Sequence, residues 1–388
     1  MITSDQWRAY NDAVESIRSD AAREVERRVS EYMANEWDGD VASARDAAKR
    51  IMASQVAEYD RRAASLAAAW YDAQARESGA KLDRAVTAVP YTNHDIDALA
   101  RYQAGKLDRD IPDAEEFARM CGEFAANDAM KSVNRTVLRN VKRDREKGAK
   151  FARVTSGRNT CPFCLMLAGR GAVYYSRKTA GQFDHWHRHC TCKVVPCFSG
   201  NRYEVLVEGH DPKKIEGRLA EIEKFNGIER GTAAFNREVS LRDPDWLYGE
   251  DPPVVDKERG AKPLLKEREA AEVLSKNGIP VKFIKEANVT GVKSPDAFLG
   301  PDKWEFKIPE GWSKPDARSL AGEHTVRKQF YKALDKGTSK LLLSNGSCDA
   351  SFSEMVRVAN KVLKSGDYEI EEVLVVCPET GDIRRLKK

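Results

Sequence analysis

The chain has 388 residues, room for two or three domains, and its 41% hydrophobic and 32% charged residues are the balance of an ordinary globular protein. A formal net charge of +4 is too small to argue by itself for a nucleic-acid partner, so the local placement of basic residues has to carry that argument. The polar start Met1-Ile-Thr-Ser-Asp-Gln-Trp7 lacks the basic-then-apolar pattern of a secretory signal, and no run of about 18 apolar residues offers a membrane span.

Residues 1–158 read as helical almost throughout, rich in alanine, glutamate, arginine and aspartate and poor in glycine and proline. Val25, Val29, Tyr32, Met33 and Trp37 recur at three- and four-residue steps, as do Ile51, Val56, Tyr59, Ala63, Leu66 and Trp70. Such stripes are read as inter-helix packing. Pro112-Asp113 opens a further helix through Phe117, Met120, Phe124 and Met130. From Lys131 to Arg158 the chain is strongly basic, which suits either phosphate contact or a solvated helix face.

Residues 159–200 form a compact cysteine and histidine segment. Five of the eight cysteines lie from Cys161 to Cys197, and in a chain without a signal peptide such clustering reads as metal binding before disulfides. Cys161-x-x-Cys164 followed by His185, His187, His189, Cys190 and Cys192 suits a tetrahedral structural zinc ion. Cys161 and Cys164 are the first two ligands and Cys190 the third, with His187 or Cys192 as the fourth. No carboxylate is placed as a general base, which sets a catalytic zinc aside. Residues 201–260, rich in glycine and Asp-Pro pairs, read as a loosely structured connector.

Residues 261–388 change character to an α/β succession. The expected helices are Glu267 to Lys276, Ser313 to Lys336 and Phe352 to Lys364. The expected strands are Val281 to Ile284, Asp296 to Leu299, Trp304 to Ile308, Leu341 to Ser344 and Glu371 to Val376. The fold class is therefore multidomain: a mainly α region, a small zinc-binding segment, then an α/β domain with a central mixed sheet. Cys348 and Cys377 read as buried thiols.

Between the second and third of these strands, Gly300-Pro301-Asp302-Lys303 reads as a turn. With Pro301 and Asp302 as the loop, Phe298 pairs with Glu305 and Asp296 with Lys307. Asp296, Phe298, Glu305 and Lys307 then share one face, opposite the apolar Ala297, Leu299, Trp304, Phe306 and Ile308. A loop of odd length would break that parity. Two carboxylates and a lysine on one sheet face suit phosphodiester cleavage. Asp296 and Glu305 would hold a magnesium-type ion, and Lys307 would orient water or stabilise charge on the phosphate. Asp302 offers a rival Pro-Asp aspartate but falls too close to Glu305 to pair across the hairpin.

Two resemblances follow from these residues. Cys161-Pro-Phe-Cys164-Leu-Met-Leu-Ala-Gly-Arg-Gly-Ala-Val-Tyr-Tyr, then His187-Arg-His-Cys190-Thr-Cys192 and Val194-Val195-Pro196, resembles the MuF-type minor head proteins of phages, over roughly residues 1–200. That resemblance implies a virion or procapsid component, made in the bacterial cytoplasm, with portal and capsid proteins as partners. The order helix, strand, hairpin with Pro-Asp and Glu-x-Lys, helix, strand resembles the PD-(D/E)xK nuclease superfamily. Its details look closest to the C-terminal tRNA nuclease domains of contact-dependent inhibition toxins. Glu267-x-x-x-Ala271-x-x-Leu274-x-x-x-Gly278, Gly291-Val-Lys-Ser-Pro-Asp296 and Glu305-Phe-Lys307 carry it, across residues 261–388. By that resemblance Glu267 is a further site carboxylate, with Glu269 and Glu272 as rivals. Arg327, Lys328, Gln329 and Lys332 would meet the substrate phosphates. The substrate it implies is tRNA, with DNA possible, and an immunity protein is implied as a partner. A minor capsid protein that only binds DNA or head partners, or a packaging DNA nuclease, is the competing reading.

Overall fold

The computed structural model describes the chain except residues 89–93, 109–112, 157–159, 176–191, 286–292 and 318, and the side chains of His94 and Asn226. It divides into two compact units, Met1–Lys213 and Lys214–Lys388.

The first unit is built on three long helices, α1 (Ser4–Asn35), α2 (Val41–Glu77) and α4 (Ala114–Arg143), with the shorter α3 (His94–Ala104). Local chemistry starts them cleanly. Thr3 caps α1 in a capping box with Gln6, Asp40 caps α2 and Asp113 caps α4. The apolar stripes read from sequence are buried: Val25, Val29 and Met33 on α1, Val56, Tyr59 and Ala63 on α2, Phe117 and Met120 on α4. Alanine dominates the buried face of α2, which lets its backbone approach its neighbours closely. At one end Tyr10 stacks on Trp70 with ring centroids 4.1 Å apart. Asp60 and Asp128 are also buried in this unit. Burial, followed by the charge of Asp128, raises Asp60 to about 8.

The basic run from Lys131 to Arg158 is partly absorbed by structure. Arg139 donates to the Thr87 carbonyl, and Arg143 to the carbonyls of Asp83 and Arg84 and to Asp144. These bonds fasten the segment after α2 onto α4. The run also contains a strand that composition did not suggest, β1 (Lys150–Val154). It pairs antiparallel with β2 (Lys193–Cys197), Lys150 opposite Cys197 and Val154 opposite Lys193. Between them lies α5 (Pro162–Gly169).

Residues 201–260, expected as a loose connector, instead hold three helices: α6 (Pro212–Lys224), α7 (Ala233–Ser240) and α8 (Pro244–Leu247). The turn formers read as linker composition are helix punctuation. Asp243 caps α8 with Pro244 at its first position, and Thr232 caps α7. Ile215, Leu219, Phe235 and Trp246 are buried, so this stretch adds core.

The second unit centres on a mixed sheet of seven strands among the described residues. They are β3 (Asp256–Lys257), β4 (Val281–Phe283), β5 (Ala297–Leu299), β6 (Asp302–Lys307), β7 (Lys340–Ser344), β8 (Glu372–Val376) and β9 (Ile383–Lys387), in that spatial order. β6, β7 and β8 run parallel, while β4–β5, β5–β6 and β8–β9 are antiparallel pairs. Helix α9 (Leu265–Lys276) buries Ala270, Ala271 and Leu274 in one apolar cluster with Trp304 and Phe306. On the other face α10 (Glu323–Asp335) and α11 (Phe352–Ser365) enclose Leu341, Leu343, Val373 and Val375 in a second. The sheet is thus covered on both faces, as its parallel centre requires. Helix α10 starts ten residues later than the pattern from Ser313 suggested. Gly322 precedes it at φ +79°, and a Cβ there would come within 1.9 Å of the Trp312 ring. The close indole contact and the left-handed backbone together stop the helix from extending backward.

Candidate active site

The β5–β6 hairpin positions the site, in a register two residues away from the expected one. Leu299 pairs with Asp302, Phe298 with Lys303 and Ala297 with Trp304, so the loop is Gly300-Pro301. The expected pairs Phe298–Glu305 and Asp296–Lys307 do not form. Gly300 takes φ +60° at the first central position of the two-residue turn, and proline supplies the negative φ needed after it. An even shift preserves parity. Ala297, Leu299, Trp304 and Phe306 still face one apolar cluster, and Glu305 and Lys307 still face the other side. Beyond the last pair, the Asp296 N–H donates to the Trp304 carbonyl at 3.1 Å, next to Glu305 in the chain.

Four side chains meet there. Glu305 is fully buried, Asp296 is 14% exposed, and Lys307 and Lys336 are 20% and 24% exposed. The Lys307 ammonium donates to Glu305 Oε1 and lies 3.8 Å from Asp296 Oδ2. Lys336, immediately after α10, places its ammonium 3.3 Å from Asp296 Oδ1 and 3.4 Å from Glu305 Oε1. Asp296 is held in place because its Oδ2 accepts the backbone N–H of Phe306 at 2.8 Å. Glu305 Oε2 is buried, with no hydrogen-bond partner among the described residues. A carboxylate oxygen left that way costs free energy unless something cationic completes it. Burial, and then the Asp296 charge, raises Glu305 to about 7 against the lowering effect of the two lysines.

Glu267 stands at the start of α9, where its carboxylate accepts the Leu264 N–H at 2.8 Å. Burial raises its pKa first, the Asp296 charge adds to this, and Lys307 and Lys336 oppose it. Its rivals Glu269 and Glu272 are exposed. Glu267 and Asp296 share a cleft of about 600 Å³ with Lys262, Leu264, Lys285 and Pro295. Asp302 lies elsewhere: it pairs with Lys340 and lines a different cleft. The group is thus Asp296, Glu305, Lys307 and Lys336 in mutual contact, with Glu267 at its margin.

The four residues expected at substrate phosphates are spread over α10. Arg327 pairs with Glu323 and Asp367. Gln329 is buried, while Lys328 and Lys332 are exposed. None of the four hydrogen-bonds or ion-pairs with Asp296, Glu305 or Lys307 among the described residues.

In the first unit β1 and β2 bring the two cysteine clusters together, because α5 follows β1 and Cys192 directly precedes β2. Cys161 caps α5, its sulfur accepting the Cys164 N–H at 3.4 Å. Cys164 and Cys192 place their sulfurs 3.0 Å apart. The buried Arg153 guanidinium donates to the Cys192 sulfur. His185, His187, His189 and Cys190 lie outside the described residues. Among the described residues, no three histidine, cysteine, aspartate or glutamate side chains form a group arranged to hold a metal ion, here or in the second unit.

Residues 1–222 match the model of the VG15 protein family. The chain belongs to the VG15 protein family. The Gene 15 protein of Mycobacterium phage D29 is 32% identical over a stretch that covers 12% of this chain and 28% of that relative, so the match spans little more than a quarter of the relative's length. Both point to a phage protein. The VG15 match takes in the first unit and nearly all of α6, and the carboxylate–lysine group lies wholly beyond it. Among solved structures, one chain of the CdiA-CT/CdiI toxin and immunity complex from Burkholderia pseudomallei aligns over 36% of this chain and 98% of its own, at 16% identity and a TM-score of 0.24. No helix among the described residues of this VG15 protein is long and apolar enough to cross a membrane.

Lys336 is the site residue that sequence reasoning missed, and a signal for it existed. It lies seven residues after Gln329 and four after Lys332, on the helix stripe that includes the buried Gln329. Following that stripe one residue past the end of α10 leads to the ammonium between the two carboxylates.

Proposed function

We propose that this VG15 protein is a phage minor head protein whose second unit is a metal-dependent nuclease that cleaves phosphodiester bonds. The observation that supports the nuclease is the contact of Asp296, Glu305, Lys307 and Lys336, with one oxygen of the buried Glu305 left without a partner among the described residues. Oxygen-only ligands suit a magnesium-type ion, and Asp296 and Glu305 are the residues that would hold it. Such an ion, when bound, polarises the phosphate and acidifies water. Glu267 adds a third carboxylate at the edge of the same cleft. Lys307, fixed in β6, orients the attacking water or meets the charge that grows on the phosphate. The apolar cluster behind Trp304 and Phe306 keeps the strand rigid, so these groups are positioned before substrate arrives.

The test is incubation of the full-length protein with tRNA, other RNA and DNA, with magnesium and with a chelator. tRNA stands first because of the motif resemblance in the hairpin and α9. Cleavage that needs magnesium is the expected result, and no cleavage of any of the three would sink the enzyme and favour a binding role. The pH profile has a definite sign. Glu305 is raised to about 7, so below that pH it is neutral and holds a cation poorly. The cleavage rate should climb as pH rises towards 7, by up to about tenfold per unit for a single proton, and then level. Toxicity on expression, relieved by a neighbouring gene product, would mark an effector with an immunity partner and not a packaging enzyme.

We further propose a structural zinc ion held by Cys161, Cys164 and Cys190, with His187 or Cys192 completing the set. The Cys164 and Cys192 sulfurs, 3.0 Å apart with Cys161 packed against them, support it. Metal analysis of the reduced protein should return about one zinc per chain, lost in Cys164→Ser. A metal-free wild-type protein would rule the ion out.

A further inference from the structure

The carboxylate–lysine group is electrically closed as it stands. Asp296 and Glu305 bring two negative charges when ionised, and Lys307 and Lys336 bring two positive ones, all within 4 Å of one another's oxygens. The two lysines are not equivalent. Lys307 belongs to β6, and its ammonium also contacts the Phe306 carbonyl of the same strand at 3.2 Å. Lys336 follows the last residue of α10 and reaches the group only through its side chain. Its ammonium spans Asp296 Oδ1 and Glu305 Oε1 at nearly equal distances, 3.3 and 3.4 Å, the place between two carboxylates where a divalent cation gains most.

We propose that Lys336 is a built-in competitor for the divalent cation: its ammonium bridges Asp296 and Glu305 in the metal-free protein and must leave when the cation binds. The proposal rests on the nuclease reading of this site. Lys307 would have to give up its bond to the Phe306 carbonyl as well as its contacts with the two carboxylates. A lysine at a helix end, a quarter exposed, can swing towards solvent or towards a substrate phosphate at the cost of side-chain rotation only. Glu305 Oε2, buried and without a partner among the described residues, is an oxygen that the lysine does not use and that the cation could take. Lys336 thereby prevents two buried carboxylates from repelling each other before metal arrives, and it lowers affinity for stray cations. Lys336 is a positioning residue in this role.

The test is calorimetric titration of manganese into full-length protein with no other divalent cation added, at pH 8, above the value for Glu305. Wild type, Lys336→Met, Lys336→Arg, and each of these carrying Glu305→Gln are compared. Lys336→Met should bind manganese about tenfold more tightly, a change of roughly 1.4 kcal/mol. Lys336→Arg keeps the charge and should stay near wild type, and Glu305→Gln should abolish the binding in every background. Equal or weaker affinity in Lys336→Met, with an unchanged melting curve, overturns the proposal, as does binding that survives Glu305→Gln. The outcomes separate from the cleavage test. Tighter manganese binding without cleavage keeps this inference and removes the nuclease. Cleavage with unchanged affinity in Lys336→Met does the reverse.

Discussion

Asp296→Asn and Lys307→Met proteins should each lose cleavage by about a hundred- to a thousandfold while their melting temperatures stay close to wild type. The choice of substitution follows from the contacts. Asp296 Oδ2 accepts the Phe306 N–H, so alanine would strand a buried backbone donor and cost about 1–3 kcal/mol on its own. Asparagine keeps an oxygen for that bond and removes only the charge that holds a cation. Lys307→Met keeps the packed aliphatic stem and removes the ammonium that faces both carboxylates. Glu305 then retains Lys336 as its cationic neighbour, so the buried carboxylate is not left wholly unpaired. Single-turnover cleavage with saturating magnesium reads the chemical step alone. Full activity in either variant would move the catalytic group elsewhere in the chain.

Trp304→Ala should be the most damaging substitution in the second unit, destabilising it by about 3–5 kcal/mol. Trp304 is 2% exposed and sits in β6 directly before Glu305. It is one of the largest side chains in the cluster that joins α9 to the sheet, and the Arg385 guanidinium lies 5.8 Å from its ring. Its loss leaves a cavity under the strand that carries the site, so activity should fall with stability. Urea unfolding of the full chain should lower the midpoint of one transition, and the transition of the first unit should keep its midpoint. A shift of less than about 1 kcal/mol would mean that the apolar face of β6 does not anchor the hairpin.

These two expectations draw on different layers of information, and the hairpin separates them. Apolar and polar residues alternate in Trp304–Lys307, and the two-residue period of a strand through Asp296 and Phe298 with an even-length loop already placed Asp296, Glu305 and Lys307 on one face. The register was not legible. Gly300-Pro301-Asp302-Lys303 reads as a turn with Pro301-Asp302 as its loop, and the left-handed backbone at Gly300 moves the loop to Gly300-Pro301. The same limit explains the connector. Asp-Pro and glycine mark a helix boundary as well as a linker, and the burial of Phe235 and Trp246 that distinguishes them is a long-range fact.

The sequence by itself determined the division into a helical region and an α/β region, the apolar stripes of α1, α2 and α4, the face shared by the site residues, and the cysteines able to gather. All of these follow from local periodicity and residue chemistry. Tertiary structure alone decided that Glu267 lines one cleft with Asp296 while Glu269 and Glu272 are exposed, that Asp302 pairs with Lys340 away from Asp296, and that part of the basic run fastens the first unit together. It alone placed Lys336, which is 31 residues from Glu305 in the chain, within 3.4 Å of it. Charge pairing across that separation depends on how α10 and β6 pack, and no pattern along the chain encodes the distance.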